Sequence, residues 1–248
     1  MVKAGFFGKI TTANDFIYHG LPLKASEAWA EYMAGWIAAS RAASGNRWDE
    51  LYFGSPVWRF GLEPNVIGPY GWIGMFASSI DGVGRSFPFT VLIEANLELS
   101  QSQPILSLDP LFDILEERML CFIEGQITRE DFSGVIAEIA ASAPAALLTS
   151  DIDPVVLPGA QDGAVCLRGI LEETAMELLP DAFSRPLTGA AGDRGLCCWW
   201  HEGTGARRSE VCVTRGIPAA AAAVPFFLGN WEKHGWLKAP VSDYLVFE

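Results

Sequence analysis

Histidine and basic residues are both scarce in this 248-residue chain, and each shortage narrows what the protein can do. Three histidines, His19, His201 and His234, leave little for general acid–base work or a histidine-rich metal centre. Lysine and arginine number 17 against 30 aspartates and glutamates, a formal charge of −13. That balance argues against nucleic acid as a partner, since tracking phosphates needs a basic face, and equally against an anionic membrane surface. No Gly-x-Ser-x-Gly elbow is present. The longest apolar run, residues 217–228, is interrupted by Pro218 and Pro225 and is too short to span a bilayer. The first residues lack the apolar stretch and small-residue cleavage site of a secretory leader. Five cysteines, Cys121, Cys166, Cys197, Cys198 and Cys212, are an odd number, and two are adjacent, which disulfide geometry disfavours. Reduced thiols in the cytoplasm are the expectation.

Apolar material, by contrast, is abundant. Half of the residues are hydrophobic, enough to offset ordering entropy and build a real core. Residues 5–10 predict a short buried strand, and 11–22 a turn-rich connection. Ser26 is placed to cap a helix running to about Ser44, with Gly45 as its stop. Trp29, Met33, Trp36 and Ile37 recur there at helical spacing, so that face should meet a thick layer, a sheet. Residues 57–62, 71–77 and 87–95 alternate aromatic and β-branched side chains between Gly, Pro, Asn and Asp, and predict three antiparallel strands. Asp109 is placed to cap a helix over 111–123, with Leu111, Ile114, Leu115, Arg118, Met119 and Phe122 in register. Thr128 is placed to cap another, whose inner face carries Phe132, Val135, Ile136 and Ile139. Residues 141–163 read as a long surface loop within one domain spanning 1–248. A strand at 164–167, a short helix at 171–179, a hairpin of 196–201 with 210–214, and a closing helix near 218–228 complete the expectation. Without regular βαβ alternation, the fold class expected is an α/β layered sandwich: a central mixed, largely antiparallel sheet flanked by helices.

Three stretches imitate chemistry and fall short. Residues 5–11 look like a phosphate loop, but Lys3 stands where the first Gly belongs and Ile10 where the Mg²⁺-binding hydroxyl belongs. Cys197, Cys198, His201 and Cys212 lack the paired knuckles of a zinc site, and strand alternation points Cys197 and Cys198 to opposite faces. The run Asp81-Gly82-Val83-Gly84 resembles a loop of metal-dependent serine/threonine phosphatases. The further aspartates needed to clamp two metal ions are missing, so a turn capped by Asp81 is expected. No cofactor and no metal are implied.

One constellation is specific. It runs Gly5-Phe6-Phe7-Gly8-Lys9-Ile10, Asp15-Phe16, Trp48 and Pro56-Val57-Trp58-Arg59-Phe60. It continues through Gly68-Pro69-Tyr70-Gly71-Trp72-Ile73-Gly74 and the stretch from Ser79 to Pro88, then returns at Trp199-Trp200 and Gly216-Ile217-Pro218. In that order and spacing the series resembles the TagF (ImpM) family of type VI secretion-associated proteins. Two departures stand out: Asn14 replaces a glycine, its backbone expected to tolerate the left-handed conformation, and Ile17-Tyr18-His19 replaces a basic residue after Asp15-Phe16.

The resemblance implies an α/β sandwich without catalytic activity and a post-translational repressor of type VI secretion that binds the machine's forkhead-associated scaffold protein. A metal-dependent phosphatase-like hydrolase and a structural subunit of the machine are the alternatives. Lys9, Asp15, Asp81 and Arg85 are the candidate partner-binding residues, on converging loops. Gly8, Trp58, Arg59, Phe60, Ser79, Trp199 and Trp200 are the candidate structural motif, with the tryptophans in the core and Arg59 and Asp81 needing compensation for burial.

Overall fold

The centre of the chain's sheet is apolar on both faces, and that fixes the architecture. In the computed structural model, which describes residues 2–97, 99, 108–147, 164–168, 195–205, 207–234 and 236–239, Trp58–Leu62 (β3) and Gly71–Ala77 (β4) are buried at every position. An antiparallel sheet with such strands must be covered on both sides. The other strands are Ala4–Gly8 (β1), Ile17–His19 (β2), Phe89–Ala95 (β5), Ala164–Arg168 (β6), Leu196–Gly203 (β7), Arg208–Arg215 (β8) and Leu237–Ala239 (β9). Their order is β2-β1-β5-β4-β3-β7-β8-β6-β9. Every neighbouring pair is antiparallel except β6 with β9. The mixed, largely antiparallel sheet and its helical layers match the expected class.

Helices Leu23–Ser44 (α1), Trp48–Phe53 (α2) and Ala220–Leu228 (α5) cover one face. Trp29 and Trp36 of α1 do meet the sheet: Trp29 stacks on Phe60, and Trp36 lies against Phe76 and Trp199. Asp109–Ile123 (α3) and Arg129–Leu147 (α4) cover the other face, where Phe122 and Phe132 stack on each other beneath Phe6 and Phe89. Cys197 and Cys198 fall into opposite cores, as alternation requires, and burial raises both thiols above their ordinary range.

Several local expectations need correction. Ser26 lies inside α1, which starts after Pro22, and its hydroxyl donates back to the Leu23 carbonyl at 2.9 Å. Gly45 does end α1, with φ of 56°. Asp109 is the first residue of α3 rather than its cap, because its carboxylate is drawn to Arg59. The buried stripe of α3 is Phe112, Leu115, Met119, Phe122 and Ile123, which leaves Ile114 exposed. Thr128 does cap α4: its hydroxyl accepts from the Asp131 N–H, while the Asp131 carboxylate accepts from the Thr128 N–H. The proposed loop at 141–163 begins as helix, since α4 continues to Leu147; the remainder of that loop, and the helix expected at 171–179, lie outside the described residues.

Candidate functional site

The loops at one end of β1, β4 and β5 converge around a buried carboxylate. Gly8 ends β1 at φ 144°, and a Cβ there would stand 2.4 Å from the Pro88 carbonyl oxygen, so the backbones meet at a distance no side chain permits. That approach seats Lys9, the next residue, against the loop leading into β5. Its ammonium lies 2.9 Å from Asp81 Oδ2, and both side chains are buried. Arg85 Nε donates to the same oxygen at 2.7 Å. Asp81 Oδ1 accepts from the backbone N–H groups of Val83 and Arg85, at 3.2 and 2.8 Å. The turn expected from Asp-Gly-x-Gly is therefore present, closed by Gly84 N–H on the Asp81 carbonyl at 2.9 Å.

The supporting contacts explain the other motif residues. Ser79 Oγ donates to the Lys9 carbonyl at 2.7 Å, tying the second loop to the end of β1. Tyr52 of α2 donates through its hydroxyl to the Ser79 carbonyl and accepts from the Ser79 N–H. Arg85 Nη2 reaches the Asn14 carbonyl at 2.6 Å, and the Gly82 N–H reaches the Ala13 carbonyl at 2.7 Å. Residues 11–16 and 81–87 are thereby laid side by side. Phe16 stacks on Phe7 and packs edge-on to Phe87, and the Lys9 ammonium is 5.0 Å from its ring. Asn14 does not adopt the left-handed backbone: among described non-glycine residues only Asn65 and Asn230 have positive φ. A Cβ on Gly82 would meet Asn14 Oδ1 at 2.6 Å, so this asparagine acts through contact with the neighbouring turn.

Of the four partner-binding candidates, then, Lys9 and Asp81 are interior and build the loop, whereas Asp15 and Arg85 reach solvent. Burial acts to raise the Asp81 carboxyl, but the Arg85 N–H, the Lys9 ammonium and the Arg85 guanidinium outweigh it and hold the group well below the usual carboxylate range. A carboxylate depressed in this way stabilises the fold above the ordinary value near 3.8, and that contribution disappears as pH falls further. In Asp81→Asn, the thermal midpoint should drop by several degrees at neutral pH, because Lys9 loses its counter-ion. The gap to wild type should narrow below about pH 4, measured by denaturation across an acid series. A gap independent of pH would show that the charge of Asp81 is irrelevant.

Arg59 belongs to a second ionic centre on the α3 face. Its guanidinium contacts Asp109, Asp113, Glu116 and Glu202 at 2.7–3.1 Å. Trp200, paired with Arg59 across β3 and β7, donates its indole N–H to Asp109 at 2.8 Å. Burial pushes the Glu116 carboxyl up, Arg59 pulls it back, and Glu202 and Asp113 push it up again. Trp58 and Trp199 sit in the opposite core, with indole N–H groups satisfied by the Phe226 carbonyl and Thr214. Phe60 lies between Trp29 and Trp199. All seven motif residues are buried.

Asp81 is committed to two cations, and among the described residues no three His, Cys, Asp or Glu side chains are placed to hold a metal ion. No helix among them is long and apolar enough to cross a membrane. Sequence reasoning missed Tyr52, whose i,i+4 spacing from Trp48 was the available signal for α2.

Comparison with known proteins assigns the chain. No curated protein matches it. A crystal structure of PA0076 from Pseudomonas aeruginosa PAO1 shares the fold with a TM-score of 0.64, at 24% identity over 92% of this chain and 94% of that one. The profile of the TagF N-terminal domain, described as type VI secretion system-associated, matches residues 5–139, which include β1 but for Ala4, β2 to β5, and both ionic centres except Trp200 and Glu202. With more than half of its length matched, the chain belongs to the TagF family of type VI secretion system-associated proteins.

Proposed function

We propose that this protein is a non-enzymatic, post-translational repressor of a type VI secretion system, acting in the cytoplasm by binding the system's forkhead-associated scaffold protein. The family match over residues 5–139 carries the proposal, because the densest motifs of the chain lie there. The geometry supports a binding role: Lys9, Asp81 and Ser79 are spent on fixing two loops, and a fixed loop end loses little entropy on docking.

The decisive experiment recovers tagged protein from lysate without ATP and measures secretion after deletion of its gene. Co-purification of the scaffold, together with raised secretion on deletion, is the expected outcome. Abolished secretion would identify a structural subunit instead. Absence of the scaffold beside other reproducible partners would end the repressor proposal.

A further inference from the structure

A cleft of about 430 Å³ lies beside the edge strand β2, between the turn joining α3 to α4 and the connection that follows β1. Its floor is apolar, built from Ile10, Ile17, Phe122 and Ile127. Its walls are tied together. The Thr11 N–H and hydroxyl both donate to the Ile123 carbonyl, at 3.2 and 2.8 Å, which fastens that connection to the C-terminal end of α3. Gly125, at φ 75°, brings the turn against Thr12; a Cβ there would stand 2.4 Å from the Thr12 methyl. The cleft therefore exists before anything enters it.

Its mouth carries a carboxylate with an open oxygen. Asp131 Oδ2 accepts from the Thr128 hydroxyl and N–H, at 2.6 and 3.2 Å, while among the described residues Oδ1 accepts no hydrogen bond. The Thr128 hydroxyl first, and its N–H second, hold the carboxyl below its ordinary range, so it is ionised at neutral pH. Arg129, the base that lines the cleft, is turned along β2 instead, donating to the Tyr18 carbonyl beside the Phe6 ring. The N-terminal end of α4 contributes about half a positive charge, which Glu130 and Asp131 in its first turn exceed. Counting every charged residue of the segments that line or adjoin the cleft, 9–19, 81–87 and 122–131, five acidic residues stand against three basic ones. Two of those bases, Lys9 and Arg85, are spent on Asp81.

We propose that this cleft receives an arginine or lysine side chain of a partner protein. The aliphatic stem lies on Ile10, Ile17 and Ile127, and the cationic head donates to Asp131 Oδ1. Charge complementarity selects this occupant: an acidic side chain would be repelled by the net negative rim. A short polar side chain would leave the apolar floor in water. The inference rests on the chain being a binding protein, and not on which protein it binds.

The probe is n-butylguanidinium, titrated into the full chain and followed at the Ile10, Ile17 and Ile127 methyl resonances, with n-butanol and pentanoate as neutral and anionic counterparts. The cation should bind about tenfold more tightly than the alcohol, added salt should reduce that preference, and pentanoate should be weaker than both. In Asp131→Asn the amide oxygen still accepts from Thr128, so α4 keeps its cap and only the preference for the cation should be lost. Ile127→Ala should instead weaken the cation and the alcohol together. Equal binding of cation and alcohol by the wild type, or a preference that survives Asp131→Asn, would overturn the inference. Capture of the scaffold from lysate separates it from the proposed function. Capture by the wild type, reduced about tenfold in Asp131→Asn, supports both. Equal capture by the two proteins overturns the cleft as the docking point and leaves the proposed function standing. A scaffold missing from both ends the proposed function, while selective binding of butylguanidinium still supports the cleft.

Discussion

Replacing Arg59 by methionine should destabilise the fold by about 3–5 kcal/mol, the usual result of stripping the partner from a buried ion pair. Arg59 is buried in the middle strand β3 and faces four carboxylates, so its loss leaves three acidic side chains of α3 against Glu202 with nothing between them. Asp109 and Glu116, the less exposed two, account for most of the expected loss; Asp113 and Glu202 are more than half exposed and water screens them. The deficit has a pH signature. Glu116 already titrates above its ordinary 4.5, and without Arg59 it must rise further. A carboxyl raised in the folded state favours folding at low pH and loses that contribution as pH climbs through its folded value. Urea denaturation of the variant should therefore show a larger deficit at about pH 7 than at about pH 5. Asp109→Asn in the same background should recover part of it. A deficit below about 1 kcal/mol would mean that the centre is solvated and that Arg59 contributes only its packing.

How far these features could be read from sequence depends on whether each is set locally or by the fold. Residues 71–77 and Gly45 were legible because an apolar run and a helix stop are properties of neighbouring residues. The need of Arg59 for compensation was legible too, since a charge in an apolar strand cannot stay unpaired. The identity of its partners was not, because they come from residues 109–116 and 202, brought together only by the order β3-β7 and the seating of α3. The same contact explains the error at Asp109: local preference made it a cap, and a tertiary ion pair displaced that preference. Lys9 was named as a candidate with nothing local to tell interior from surface, and Asp81 was expected to need compensation without its partners being identified. Their separation of 72 positions is closed by β1 pairing with β5, a non-local event. The edge strand β2 and helix α2 went unread for a simpler reason. Three residues are too few for periodicity to register in β2, and α2 offered only the single Trp48–Tyr52 spacing.

Trp199 and Trp200 provide the sharpest contrast, because adjacent residues of one strand serve different layers. Trp199→Ala should destabilise the protein by about 3–5 kcal/mol, the range for emptying a fully buried aromatic site. Its ring touches Trp29, Trp36, Phe60 and Phe226, so the cavity would open between the sheet, α1 and α5, and its indole N–H to Thr214 would also be lost. Those neighbours are large and already packed against one another, which limits collapse into the void and keeps the cost high. Trp200→Phe should cost only about 1–2 kcal/mol, since the ring contact with Phe112 is largely kept and the loss is one hydrogen bond to a carboxylate that Arg59 still holds. Chemical denaturation with unchanged denaturant sensitivity checks both values. Combining Trp200→Phe with Arg59→Met tests the link between the layers and the ionic centre. The two changes share Asp109, so they should not add, whereas Trp199→Ala should add to Arg59→Met within about 0.5 kcal/mol. Additivity of Trp200→Phe with Arg59→Met would show that the indole N–H does not help hold Asp109, and would leave that carboxylate to Arg59 alone.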